Sequence, residues 1–142
     1  MSETLSPAYL TALASQIGFL SAFLGGFAAT FVAMILAAEK PDRVAGWAMG
    51  LAAVSATAFV VAAVTSTTLV AGSHPEAPAS AALSDGLVRA RIVSALGFAL
   101  GAYLLLGAIG CSGWLRSRAV GWTTTIAAGL AGVFVTLSIV SA

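Results

Sequence analysis

Residues 8–38 read AYLTALASQIGFLSAFLGGFAATFVAMILAA and contain no Asp, Glu, Lys, Arg or His. A helix needs about 20 apolar residues to cross the roughly 30 Å hydrocarbon core of a bilayer. This run is longer, since its 31 residues would extend about 46 Å as a helix. The stretch therefore predicts a long first membrane helix that is tilted or projects into the interface.

Three more charge-free runs follow, at residues 44–72, 92–115 and 119–142. Only helices and closed barrels satisfy their backbone polar groups in lipid, and barrel strands alternate apolar with polar residues, which these runs do not. The predicted fold class is therefore all-α, an integral membrane bundle of four transmembrane helices. We expect one membrane domain over residues 1–142, with loop 73–87 outside the membrane. Its helices are predicted at about 7–38, 44–72, 88–113 and 117–141.

The composition excludes several other classes of protein. The 142 residues are 60% hydrophobic and 8% charged, with a mean hydropathy of +1.04, whereas soluble surfaces carry about 25–35% charged residues. The formal net charge of +1 gives no electrostatic basis for binding nucleic acid. Because Cys111 is the only cysteine, an intrachain disulfide and a cysteine metal cluster are both excluded.

The basic residues of the loops predict the orientation of the chain. Two short connections, 39–43 and 111–118, lie on one side of the membrane, and each joins antiparallel neighbours. The basic residues on that side are Lys40, Arg43, Arg116 and Arg118. Those on the other side are Arg89 and Arg91. Since cytoplasmic loops are enriched in Lys and Arg, we expect a multi-pass protein of the plasma or inner membrane with both termini outside.

The longest connection, residues 73–88, contains His74, Glu76 and Asp85. A metal site would need a fixed geometry and at least one further ligand. We interpret the segment instead as a solvated loop with a short surface helix over 79–83. Asp85 is expected to be the N-cap of the third helix.

The spans themselves contain no Asp, Glu, Lys, Arg or His. Proton relays, haem ligation and acid–base catalysis inside the membrane need such groups, so we expect neither enzyme activity nor a cofactor. The polar residues present are Gln16 and hydroxyl residues, with clusters at 65–68 and 123–125. Hydroxyls commonly bond to carbonyls of their own helix, and we favour that interpretation over a water-filled path.

The first helix combines small residues with a ladder of larger apolar ones. Its small residues, spaced mostly three or four apart, are Ala14, Gly18, Ala22, Gly25, Gly26, Ala29, Ala33 and Ala37. Beside them, at intervals of four, are Phe19, Phe23, Phe27, Phe31 and Ile35. Two further small pairs are Gly46-x-x-x-Gly50 and Gly97-x-x-x-Gly101. Small stripes let helix backbones approach closely, either inside one subunit or between copies of helix 1. Four such helices bury little by themselves, so we expect a homo-oligomer.

The segment SAFLGGFA at residues 21–28 resembles the pore-lining first helix of the Orai family of calcium channels. The likeness continues in order with AVSATAFVVAAV at residues 53–64. It extends to Arg91-Ile92 with Ala95 and Phe98, and to Thr124-Thr125-Ile126 with Phe134. The family has four helices per subunit and assembles as a hexamer around helix 1. The resemblance therefore implies a channel-like oligomer with helix 1 at the axis.

The resemblance also implies site residues and one difference in function. Gly26 and Phe27 match family positions associated with the hydrophobic gate of the pore, and the pore candidates are Phe23, Gly26, Phe27, Thr30 and Met34. Met34 stands where the family has the acidic residue that selects calcium. The basic stretch before helix 1 and the acidic residue of helix 3 have no counterparts, and the family keeps its termini in the cytosol. The implied pore is narrow and apolar, gating by dewetting, and is not calcium-selective.

Three functions remain open at this point. The first is the channel-like homo-oligomer with helix 1 lining an apolar pore. The second is a structural or accessory subunit that packs against another membrane protein through its small-residue faces. The third is a binder of membrane lipid or another apolar small molecule between helices. An enzyme is not expected, because no nucleophile and base can be paired.

Overall fold

The computed structural model describes residues 7–37, 43–72 and 85–141. In these residues the chain forms helices α1 (Pro7–Leu36), α2 (Arg43–Gly72), α3 (Asp85–Ser112) and α4 (Arg118–Val140), with a 3₁₀ turn at Gly113–Leu115 between α3 and α4. All four helices are long and apolar enough to cross a membrane. The described chain is therefore all-α, and its helices indicate a multi-pass membrane protein, as predicted.

The helix limits differ from the predicted ones by one or two residues at most ends. The exception is α3, which begins at Asp85 and not at residue 88. Asp85 therefore lies in the first turn of α3 and is not the flanking N-cap that was predicted. A carboxylate in the first turn is stabilised by the positive end of the helix dipole. The surface helix predicted over 79–83 lies outside the described residues, as do His74, Glu76 and Lys40.

A tight hairpin joins α3 to α4. Ser117 has an extended backbone, with φ −167° and ψ 160°, and its hydroxyl accepts the N–H of Val120 at 3.2 Å, which caps α4. Gly121 lies directly against the ring of Trp114, since a Cβ added there would come within 2.6 Å of the indole. Only glycine permits this approach, so Gly121 fixes the angle at which α4 returns along α3.

The helices pack in the order α1–α2–α3–α4, with α2 and α3 as the central pair. Glycines lie at these helix contacts: Gly25 of α1 lies against Phe59 of α2, and Gly110 of α3 lies against Ala128 of α4. In the described residues α1 and α4 contact each other at most marginally. The described helices therefore form an open row, in which the other described helices leave most of the surface of α1 and of α4 uncovered.

The interior is small and lies between α1, α2 and α3. Ala28, Phe59 and Leu105 form its centre, and the ring of Phe59 packs edge-on against Phe98 with centroids 6.0 Å apart. Gly101 makes room for this ring, because a Cβ there would lie 3.0 Å from two of its carbon atoms. The predicted Gly97-x-x-x-Gly101 pair thus packs inside the subunit. By contrast, a Cβ at Gly46 or Gly50 would meet nothing within 4 Å.

Hydroxyl groups tie α2 to α3 within this interior. Ser55 donates to the carbonyl of Gly101 at 2.7 Å, and the hydroxyls of Ser66 and Ser94 share a hydrogen bond of 2.8 Å. All three serines are buried. Because lipid offers no competing water, such bonds add to helix association, by about 0.6 kcal/mol each on average.

The threonine clusters mostly bond to their own helices, which confirms that interpretation. Thr65 and Thr67 donate to carbonyls three or four residues earlier in α2, and Thr123 does the same in α4. Thr124 and Thr125 additionally donate across the hairpin to the carbonyl of Gly110. These two hydroxyls therefore hold α4 against α3.

Candidate functional site: the outer face of α1

The small residues of α1 divide between two faces. The inner face, which packs on α2, consists of Ala14, Gly18, Ser21, Gly25 and Ala28. The outer face, which no other described helix covers, consists of Phe19, Ala22, Phe23, Gly26, Phe27, Ala29, Thr30, Ala33 and Met34. The eight small residues that the sequence places at three- and four-residue spacings therefore do not all serve one contact within the chain. At about 100° per residue, the small set spreads too widely around the helix to face one neighbour.

The inner face owes its close contact to two glycines. A Cβ at Gly18 would lie 3.2 Å from the Cβ of Ser66, and one at Gly25 would lie 3.2 Å from the Cβ of Phe59. Both distances are tight for carbon atoms, so larger side chains at these positions would push α1 away from α2. These contacts fix the rotation of α1 about its axis and thereby determine which residues point outward.

All five pore candidates lie on the outer face. The side chains of Phe23, Phe27 and Met34 are 66%, 49% and 70% exposed. A Cβ added to Gly26 would meet nothing within 4 Å. Thr30 donates its hydroxyl to the carbonyl of Gly26 at 2.9 Å, so its proton is engaged within the helix. The candidates thus form one apolar surface along the middle and second half of α1.

The chemistry of the outer face is limited to packing and exclusion of water. No Asp, Glu, Lys, Arg or His occurs between residues 7 and 37, so this part of α1 supplies no charged ligand for an ion. In the described part of the chain, no three His, Cys, Asp or Glu side chains come together to hold a metal ion. What the face offers is a ladder of Phe and Met beside small residues that permit close approach of another helix.

Ser21 is a buried polar residue that the sequence interpretation missed. Its side chain is fully buried on the inner face, and in the described residues its hydroxyl has no hydrogen-bond partner. An unsatisfied buried hydroxyl costs about 1–3 kcal/mol. Its spacing from Gly18 and Gly25, three and four residues, was the signal that it belongs to the contact with α2.

A groove between α3 and α4 was also not predicted. It has a volume of about 550 Å³ and is open to the surroundings of the subunit. Four glycines, in pairs spaced three residues apart, leave it unfilled: Gly107, Gly110, Gly129 and Gly132. Trp114 and Cys111 lie at one end, and Tyr103 lies further along it. The glycine pairs were visible in the sequence, but nothing there indicated that they face each other.

Comparison with protein-family models, with curated proteins and with solved structures found no significant match to this chain.

Proposed function

We propose that this chain is the subunit of a channel-like homo-oligomer in which the outer face of α1 surrounds a narrow apolar pore. One observation carries the proposal. The five pore candidates, of which Gly26 and Phe27 match gate positions of the Orai family, all lie on the face of α1 that the other described helices leave uncovered. In this arrangement α1 lies at the axis, α2 and α3 surround it, and α4 faces lipid.

Gly26 supports a helix contact at this face, in addition to contact with lipid. A residue that packs only against acyl chains gains nothing from being glycine, and glycine weakens a helix by about 1 kcal/mol relative to Ala. Gly26 nonetheless has no contact with another described helix at its Cβ position, and the residues near it on the same face are Ala22, Ala29 and Ala33. Small residues of this kind are enriched where membrane helices touch. Copies of the same helix around a closed axis supply such neighbours.

The proposed pore would exclude water when closed. Phe23, Phe27 and Met34 present aromatic and thioether surface, and hydrophobic constrictions of this kind gate by dewetting. The position that is acidic in the Orai family is occupied by Met34. The proposed pore therefore has no carboxylate ring to select calcium, and its permeant would be chosen by size and by the cost of dehydration.

The same proposal places the chain in the plasma or inner membrane with both termini outside. The contacts between α2 and α3 run antiparallel, from Ser66 with Ser94 to Leu51 with Gly107, so Arg43 at the start of α2 and Arg116 after α3 lie on the same side of the bundle. The positive-inside rule assigns that side to the cytoplasm. In a C111S background, a membrane-impermeant maleimide applied to intact cells should label S141C but not R116C. The reverse pattern would invert the topology.

The oligomer is tested by the mass of the purified protein in mild detergent. We expect a closed ring of identical chains with one stoichiometry across detergents. A monomer that only co-purifies with a different membrane protein would contradict the ring and support the accessory-subunit hypothesis.

The pore is tested by solute flux into proteoliposomes. Replacing Phe27 with Ser should wet the constriction and raise the flux of small ions at least tenfold, since a polar ring removes the barrier to water. Phe134→Ser is the matched control, because Phe134 is 69% exposed but lies on α4, away from the proposed axis. Equal flux through both variants, or flux at background for both, would show that Phe27 does not gate a pore.

A further inference from the structure

The geometry points to the α3–α4 groove as the binding site of one anionic phospholipid, with an acyl chain in the groove and the phosphate at Arg116 and Arg118. This site lies away from the outer face of α1, and it stands whether or not the subunits form a ring. The shape of the groove, its apolar lining and the charges at its end all favour this occupant.

The shape suits a linear apolar molecule. The groove of about 550 Å³ falls within the range of about 300–1,000 Å³ typical of small-molecule sites. It runs between two helices from Trp114 to Tyr103 and Gly132. Gly129 in particular leaves open space, since a Cβ added there would meet nothing within 4 Å.

The lining offers mostly hydrocarbon contact, because the hydrogen-bonding groups of its Trp, Thr and Tyr side chains already have partners. The indole N–H of Trp114 donates to the hydroxyl of Thr125 at 3.1 Å. The hydroxyl of Tyr103 shares a hydrogen bond of 2.6 Å with that of Thr136. A polar small molecule would find few free hydrogen-bonding groups here, whereas an acyl chain needs none.

The charges select the headgroup. Arg116 and Arg118 follow Trp114 within four residues and are exposed, and among the described residues no ion pair or hydrogen bond engages either guanidinium group. The N-terminus of α4, with its positive dipole end, is adjacent. Trp114 and Trp122, whose rings are 5.9 Å apart, are residue types that lie at headgroup depth. Basic residues beside a cleft between membrane helices bind anionic lipid headgroups.

The experiment uses Trp114 as the reporter in the full chain. In a variant with Trp47→Phe and Trp122→Phe, Trp114 is the remaining tryptophan, because the chain has three. The protein is reconstituted in vesicles containing increasing fractions of brominated phosphatidylglycerol or brominated phosphatidylcholine, whose bromines quench indole fluorescence. We expect half-maximal quenching at a phosphatidylglycerol fraction at least fivefold below that for phosphatidylcholine, the preference that about one basic residue contributes at an anionic surface.

Two further variants separate the headgroup from the acyl chain. R116Q/R118Q should remove the preference between the lipids while leaving quenching by both, whereas R89Q/R91Q, at the other end of α3, should not change it. Gly129→Leu should fill the groove and weaken quenching by both lipids, whereas Gly50→Leu, equally unobstructed but on α2, should not. Gly132→Leu serves as a second groove variant, should Gly129→Leu fail to fold as judged by circular dichroism.

The contrary outcomes are specific. Equal quenching by the two lipids in the reporter protein would show that the arginines recognise no headgroup. Unchanged quenching in both groove variants would show that the lipid near Trp114 is ordinary bulk bilayer. Absence of quenching by either lipid would show that another protein segment covers the groove.

Discussion

The two faces of α1 contain similar residues but have different surroundings. Gly25 lies on the inner face, and a Cβ added to it would lie 3.2 Å from the Cβ of Phe59. A Cβ added to the next residue, Gly26, would meet nothing within 4 Å. The inner face packs against α2, whereas the outer face has similar small residues but no neighbour among the described helices. Small residues in a membrane helix are enriched where helices approach closely, and the uncovered face of α1 is the surface on which we propose that a second chain packs.

The largest expected difference in the free energy of unfolding is between replacing a Phe of the interior and replacing a Phe of the outer face. Phe59 is 0% exposed, and Phe59→Ala should lower the free energy of unfolding by about 3 kcal/mol, because a cavity is left between α1, α2 and α3. Phe23→Ala removes an exposed ring and should change it by less than about 0.5 kcal/mol. Unfolding by sodium dodecyl sulfate in bicelles measures both. Similar losses in the two variants would mean that Phe23 is buried by contacts within its own chain.

The adjacent glycines give the next largest effect. Gly25→Leu should destabilise the subunit by about 1–3 kcal/mol, since the new side chain overpacks the contact with Phe59. Gly26→Leu should not lower the stability of the monomer, since leucine is a better helix former than glycine, but it should prevent close approach of copies, so that the ring dissociates. Thermal unfolding and mass in mild detergent distinguish the two results. A Gly26→Leu variant that keeps its full oligomeric mass would refute close packing at this position.

The smallest expected effect concerns the hydrogen bond between α2 and α3. Ser66→Ala and Ser94→Ala each break the 2.8 Å bond between the two hydroxyls. A double-mutant cycle should give a coupling of about 0.6 kcal/mol, the average for such bonds in membranes. Thr67→Val is the control, because Thr67 is exposed and donates only within α2. No coupling would mean that these helices are held by packing alone.

Much of the fold could be predicted because the bilayer fixes the length and polarity of a span. The predicted bounds of all four helices lie within three residues of the observed ends, and the short connections predicted antiparallel neighbours. The packing between helices could not be predicted. Soluble helices show one apolar stripe, but these helices are apolar on every side, so their periodicity does not indicate which face contacts a neighbour.

The candidate site was predicted in part for the same reason. The four-residue spacing of Phe19, Phe23 and Phe27 placed these rings together, and the structure places them on one face. The sequence did not reveal that Gly25 and Gly26 belong to different faces, because that depends on the rotation set by α2. Nor did it reveal the α3–α4 groove, which depends on the approach of Trp114 to Gly121.

The most direct test of the central claim is disulfide cross-linking between α1 helices of two copies of the chain. Single cysteines are placed at two neighbouring positions of α1 and at one position of α4. In a C111S background, Ala29→Cys places a thiol on the outer face, while Ala28→Cys places one at a position that is 0% exposed within the subunit. Leu130→Cys, on the exposed surface of α4, reports random collisions. We predict that Ala29→Cys forms covalent dimers efficiently at high lipid-to-protein ratio, and that the other two do not. Cross-linking of Ala29→Cys no greater than that of Leu130→Cys would contradict an assembly built around α1.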